Sequence, residues 1–178
     1  MQKIKLGDVA EYINGYAFKS TDWSENGYMI IRIQDLTGSD YQTNKFNGEI
    51  DSKYEVNNGD ILISWSATLG IYVWNKGKAY LNQHIFKVVL NTEIVDKCYF
   101  YYQVDNLLKR AQSEAHGATM KHLTKEVFNN LTFLLPSLFE QKYIAKLLGR
   151  LDELIDKRKQ QLENLDKLIK SQFIEMFG

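Results

Sequence analysis

Three histidines, one cysteine and one proline set narrow limits on the chemistry this chain can perform. His84, His116 and His122 stand with no cysteine or carboxylate at metal-ligand spacing, so no metal site is expected. Asp51, Glu55 and Asp60 could be imagined as paired acids, but turn formation and solvation explain them more simply. The glycine-rich loop that cradles nucleotide phosphates is missing, because Gly70 and Gly77-Lys78 have the wrong spacing and no hydroxyl residue follows the lysine. With Pro136 as the sole proline, neither the paired prolines of an amino-methyltransferase motif nor the proline before the first metal-binding Asp of many nucleases can be written. No catalytic residue, metal site or cofactor site is therefore assigned. Cys98 has no partner for an internal disulfide, and beside Tyr99-Phe100-Tyr101-Tyr102 it is expected to be an inert thiol on a buried helix face.

Composition narrows the class further. The 178 residues are 44% hydrophobic and 13% aromatic, enough for one packed core with an appendage and short for two full domains. The 22 basic residues balance the 22 acidic ones, so no global field draws the chain to polyanions, and any nucleic-acid contact needs a local basic face. No apolar run approaches the roughly 20 residues that span a bilayer, and Met1-Gln2-Lys3-Ile4-Lys5 lacks a signal region, so a cytoplasmic protein without membrane contact is expected.

The elements that would position polar side chains divide at Pro136. Before it, Leu6 to Ile13 reads as a short helix, and Tyr28 to Ile33, Asp60 to Trp65, Leu69 to Trp74 and Ile85 to Leu90 read as strands. Gly59, Gly70 and Gly77 mark turns or bulges between them. Val95 to Ala115 and Thr124 to Leu131 carry helical patterns, with the polar loop His116-Gly117-Ala118-Thr119 between. The expected fold is α+β: a mixed, mainly antiparallel sheet domain with short helices over residues 1–136, then a long C-terminal coiled-coil helix over 137–178. Trp65 and Trp74 are expected in the core.

Ser137-Leu138-Phe139-Glu140 is a capping box that should start the helix. Alternating steps of four and three give the seam Ile144, Leu148, Leu151, Ile155, Arg158, Leu162, Leu165, Ile169, Gln172 and Met176, apolar except at Arg158 and Gln172. Leu147, Leu154, Leu168 and Phe173 widen this stripe, so part of the helix should pack against something else. About forty residues make a rod of roughly 60 Å, which overhangs the domain and needs a second helix as partner.

Several segments, in order, resemble the target-recognition domain and conserved helix of type I restriction-modification specificity subunits. They are Lys5 to Val9; Asn14-Gly15-Tyr16-Ala17-Phe18; Tyr28 to Asp35 with its Arg-x-x-Asp end; Gly59-Asp60-Ile61-Leu62; Leu81-Asn82-Gln83-His84; Gly117-Ala118-Thr119; and Leu135-Pro136 through Glu140-Gln141 to Ile144-Ala145. The single proline before Glu140-Gln141 departs from a family that often has more. A full subunit of the family has two such domains and two helices. The resemblance therefore implies a half-length subunit that homodimerises antiparallel through Ile144, Leu148, Leu151, Ile155, Arg158, Leu162, Leu165 and Ile169 to read a bipartite palindrome in double-stranded DNA. It also implies DNA methyltransferase subunits, and a restriction subunit, as partners that carry S-adenosylmethionine and ATP. The chain itself would be non-catalytic.

Base reading needs donors and acceptors on loops, with cations for phosphates. Lys19, Ser66, Thr68, Lys76, Lys78, Gln83, Thr119 and Lys121 are the expected DNA contacts. Arg158 is expected to set the register of the seam. The competing expectation is a coiled-coil adaptor whose α+β domain binds a protein, which the neutral charge favours.

Overall fold

The structure is a computed structural model that describes residues 2–38, 42–66, 68–114 and 124–178. In chain order its elements are β1 (Gln2–Lys5), β2 (Ala10–Asn14), β3 (Tyr28–Ile31), α1 (Ile33–Thr37), β4 (Lys45–Phe46), β5 (Glu55–Val56), β6 (Ile61–Ser64), β7 (Gly70–Val73), β8 (Ala79–Leu81), β9 (Ile85–Leu90), α2 (Lys97–Glu114), α3 (Lys125–Asn129), β10 (Thr132–Leu135) and α4 (Leu138–Phe177). The fold class is α+β with mainly antiparallel sheets, short helices and a long C-terminal helix. Among the described residues three sheets form: β1-β10, β2-β9-β6-β7 and β4-β3-β8-β5. Among the described strand pairs only β3 with β8 is parallel.

The continuous apolar runs of β6 and β9 are explained by coverage on both faces. Ile61 and Ile63 of β6 and Phe86 and Val88 of β9 enter one core with Phe100, Val104, Phe128 and Phe133 from the helical side and β10. Leu62 and Ile85 point the other way, into a second core with Ile31, Val56, Ala79, Leu81 and Trp74. The two-residue alternation of a strand thus makes one sheet the shared wall of two cores. Trp74 lies buried as expected, and its indole Nε1 donates to Gly77 O at 2.6 Å.

Several expectations need correction. Leu6 to Ile13 is not a helix: a 3-10 turn over Leu6–Asp8 leads into β2. Its 6, 9, 13 apolar spacing mimicked a helical face, yet in β2 Ala10 and Tyr12 are buried while Glu11 is exposed. The segment after β3 turns at Arg32 into α1, which Gly38 closes in the left-handed conformation at φ 78°. Cys98 is exposed; the buried face of α2 is formed by Tyr99, Phe100, Val104 and Leu108.

β1 pairs with β10 from Gln2↔Leu135 to Lys5↔Thr132, which ties the chain start to the strand that feeds α4. The capping box forms as expected, with Glu140 Oε2 accepting from Ser137 N at 2.9 Å and Ser137 Oγ accepting from Glu140 N. Gln141, fully buried, donates through Nε2 to Ile94 O and Pro136 O, each at 2.9 Å, and accepts from Asp96 N at 2.8 Å. Tyr102 of α2 donates to Asp152 Oδ2 at 2.7 Å. Beyond that contact every residue of α4 is exposed. No helix among the described residues is long and apolar enough to cross a membrane.

Candidate nucleic-acid interface

The polar cleft of interest lies where the two four-stranded sheets meet. Tyr16 forms a parallel bridge to Asn82, donating from its backbone N–H to Leu81 O at 2.7 Å and accepting from Gln83 N at 3.0 Å. Gly15 permits this approach: a Cβ there would stand 2.2 Å from Asn82 O. The bridge seats the 82–84 turn beside Phe18, while Ser66 follows β6 and Arg32 ends β3. Phe18, Arg32, Ile33, Gln34, Ser66, Asn82, Gln83 and His84 together line a cleft of about 400 Å³. Its walls mix amide, hydroxyl, imidazole and guanidinium groups, which can donate and accept toward base edges.

Local contacts hold these groups in place. His84 lies against Trp65, with ring centroids 5.7 Å apart, and Trp65 stacks in turn on the buried Phe86 at 5.7 Å and 24°. Gln83 Nε2 and His84 Nε2 approach to 3.4 Å. Ser64 Oγ donates to Thr68 O at 2.5 Å, which ties the exposed Thr68 to the end of β6, while Ser66 stays buried at the cleft wall. The Arg32 guanidinium sits over the Trp23 ring at 4.7 Å. Asn44, with its amide oxygen turned toward Arg32, accepts from Nη1 at 3.0 Å and Nη2 at 2.9 Å. Burial pushes the Asp35 carboxyl up; the Arg32 backbone N–H and the charges of Lys76 and Arg32 act in the opposite direction.

The expected contacts separate into groups. Ser66 and Gln83 are brought together in the cleft, and Thr68 is exposed close to it in sequence. Lys19 is exposed next to Phe18, where its own backbone N–H donates to Asp22 Oδ2 at 2.7 Å. Lys76 reaches α1, donating to Asp35 O at 3.1 Å across the face of Trp74. Lys78 pairs with Glu55 at 2.8 Å and lies over Tyr28, and Glu55 holds its ammonium above the ordinary lysine value. Thr119 and Lys121 fall outside the described residues. Arg32, Gln34 and Phe18 line the cleft but were not among the expected contacts; Trp23 and Asn44, which hold Arg32, are distant in sequence and leave no local pattern around it.

On α4 the expected seam divides. Ile144 packs against the core of its own domain, where it was expected on a dimer seam, and Leu148 is half-buried. Leu151, Ile155, Leu162, Leu165 and Ile169 are exposed, and Arg158 donates to Gln161 Oε1 at 2.9 Å.

The architecture is a compact body with a polar cleft, from which a helix extends whose outer half bears an exposed apolar stripe. The chain belongs to the type I restriction modification DNA specificity domain family, whose model matches residues 1–165. It is 29% identical over 170 residues to the EcoBI specificity subunit of Escherichia coli, covering 94% of this chain and 36% of that protein. Against the MjaVIII specificity subunit of Methanocaldococcus jannaschii it is 28% identical over 176 residues, covering 98% of this chain and 41% of the other. The crystal structure of the HsdS subunit from Thermoanaerobacter tengcongensis superposes with a TM-score of 0.68 at 20% identity, over 90% of this chain and 39% of that one, and so shares the fold. The chain spans about two-fifths of the length of these relatives.

Proposed function

We propose that this chain selects DNA sequence for a type I restriction-modification system: residues 1–136 read one half-site, and the helix of residues 137–178 pairs through its exposed stretch, from Arg150 onward, with the same helix of a second copy, antiparallel. The observation that carries the proposal is the cleft that gathers Arg32, Gln34, Ser66, Asn82, Gln83 and His84 into one polar surface. Family membership supports double-stranded DNA as its ligand. Lys19 and Lys76 flank the cleft as cations for nearby phosphates, which suits a chain whose net charge is zero. The uncovered stripe from Leu151 onward supports the pairing, since apolar surface of that length favours association. An antiparallel pair has a two-fold axis, so the two copies read one half-site twice, as a bipartite palindrome with a fixed gap. Methyltransferase subunits, and a restriction subunit, then dock on this frame and supply S-adenosylmethionine and ATP chemistry.

The test measures solution mass by light scattering, for the intact chain and for a chain lacking residues 150–178, followed by selection of bound duplexes from a randomised library. A dimer that becomes monomeric on deletion, and that enriches a two-part palindrome, is the expected result. A monomer in both forms that enriches no DNA favours instead an adaptor whose domain binds a protein.

A further inference from the structure

Among the cations on this surface, Arg32 is held differently from the rest. Lys78 is neutralised by Glu55, and Lys76 keeps its charge for a phosphate but is a point charge with one N–H tied to Asp35 O, not a planar fork. Arg32 is fixed by neutral groups: the Trp23 ring 4.7 Å from the guanidinium carbon and one amide oxygen of Asn44. Its backbone is pinned as well, with Arg32 N donating to Asp35 Oδ2 at 2.8 Å. The ion pairs among the described residues use Asp51, Glu55, Asp105 and Asp156 and none is made to the guanidinium; the nearby anion is Asp35, which takes the Arg32 backbone N–H and feels the guanidinium charge without a salt bridge to it.

Geometry leaves this guanidinium a free working edge. Asn44 takes one N–H from each η nitrogen, so three of the five donors stay available, the Nε–H among them. A planar fork already stacked and oriented loses little freedom when it meets a pair of acceptors. Gln34, Ser66, Gln83 and His84 share the cleft wall with it, and none of these side chains is anionic. In the major groove, guanine offers two acceptors, O6 and N7, at the spacing of an arginine fork.

Resting on the DNA-reading function above, we propose that Arg32 reads a guanine in each half-site through O6 and N7, with Trp23 and Asn44 acting as positioning residues. The experiment is selection of duplexes from a randomised library by the full chain and by Arg32→Lys and Trp23→Leu variants, with thermal melts to confirm folding. Wild type is expected to enrich a motif with one guanine per half-site that depends on Arg32. Arg32→Lys keeps the charge and removes the fork, so preference at that position should fall about ten- to a hundredfold, while affinity for one fixed unrelated duplex changes less than about threefold. Trp23→Leu should weaken the same position by a smaller factor. A motif unchanged in both folded variants overturns the assignment of Arg32 and leaves DNA reading standing. A uniform loss of affinity in Arg32→Lys with the motif intact makes Arg32 a phosphate contact and also overturns it. A wild-type chain that enriches no sequence removes the DNA-reading function itself, and the guanine contact with it.

Discussion

The first three turns of α4 and the turns after them carry the same kind of apolar stripe and meet opposite surroundings. From Leu138 to Gly149 the helix lies on its own domain: Gln141 and Ala145 are buried and Ile144 joins the main core. From Arg150 to Phe177 every residue is exposed, including Leu154, Leu162 and Phe173. Apolar periodicity marks a face that must be covered, whereas buried polar groups say what covers it. Gln141, with three hydrogen bonds to the backbone of the segments before α2 and before α4, can be satisfied only in that place. The outer half contains no such group, which leaves its stripe open to another chain.

Charging the outer stripe gives the largest expected effect. Leu162→Asp with Leu165→Asp should weaken self-association by at least about a thousandfold, since each lost leucine at a packed seam costs roughly 2–5 kcal/mol and the pair recurs in both copies. The domain's melting should move by no more than about 0.5 kcal/mol, because neither side chain is buried in the single chain. Light scattering and chemical denaturation check the two halves of the statement, and a destabilised domain would break the contrast. The reverse holds for the inner half. Gln141→Leu orphans the Asp96 N–H and the Ile94 and Pro136 carbonyls, and should cost about 3 kcal/mol of unfolding free energy in urea titrations. Association per folded chain should be unchanged.

These two variants also mark how far the sequence was legible. The start of α4 could be read directly, because Ser137 and Glu140 satisfy each other within one turn. The span and type of α2 were legible because it is long enough to show its period, and those of β9 because its run of β-branched and aromatic residues is dense. The inward turn of Ile144 was not, since Ile144 and Leu151 look alike until α2 and β10 are placed in space. The short α1 and the β1-β10 pair escaped for want of length: each depends on partners far along the chain. The cleft was half legible. Ser66 and Gln83 lie in polar loops that stand out locally, but Arg32 is fixed at the cleft only where Trp23 and Asn44 converge on it.

The junction between the two halves offers smaller effects. Ser137→Ala removes the cap and should cost about 1 kcal/mol, read as a shifted denaturation midpoint. Hydrogen bonds from the Ser137 hydroxyl and backbone N–H hold the Glu140 carboxyl below its ordinary value. The cap's contribution is therefore full above the unfolded carboxylate pKa and is lost as pH falls through the lowered folded value. A pH series on wild type should show that loss on the acid side, and Ser137→Ala should flatten it.

Tyr102 acts at the point where α4 leaves the domain, and its phenol is pushed up from 10.0 to about 12, by burial first and then by its hydrogen bond to Asp152. The folded state favours the neutral phenol, so this contribution is complete below pH 10 and is lost as pH rises toward 12. Because the pair is largely open to solvent, Tyr102→Phe should cost only about 0.5 kcal/mol. Tyrosinate absorbance should show one high-titrating tyrosine fewer in the variant.

Arg158 gives the smallest change in stability and the sharpest test of the outer half. It interrupts the seam, and among the described residues its side chain donates to Gln161, one turn away. Arg158→Leu should leave the domain's melting unchanged within a few tenths of a kcal/mol and should tighten association, since an apolar residue at a seam position packs better than a desolvated cation. Tightening has a cost in uniqueness. With an unbroken apolar seam the helices can pair in more than one register, and each one-heptad slip, seven residues at 1.5 Å, moves the two reading domains by about 10 Å along the rod. In duplex selection, wild type should enrich one gap length between half-sites and Arg158→Leu a broader set. A single gap length in both would mean that register is set elsewhere, by the embedded turns around Gln141 and Tyr102.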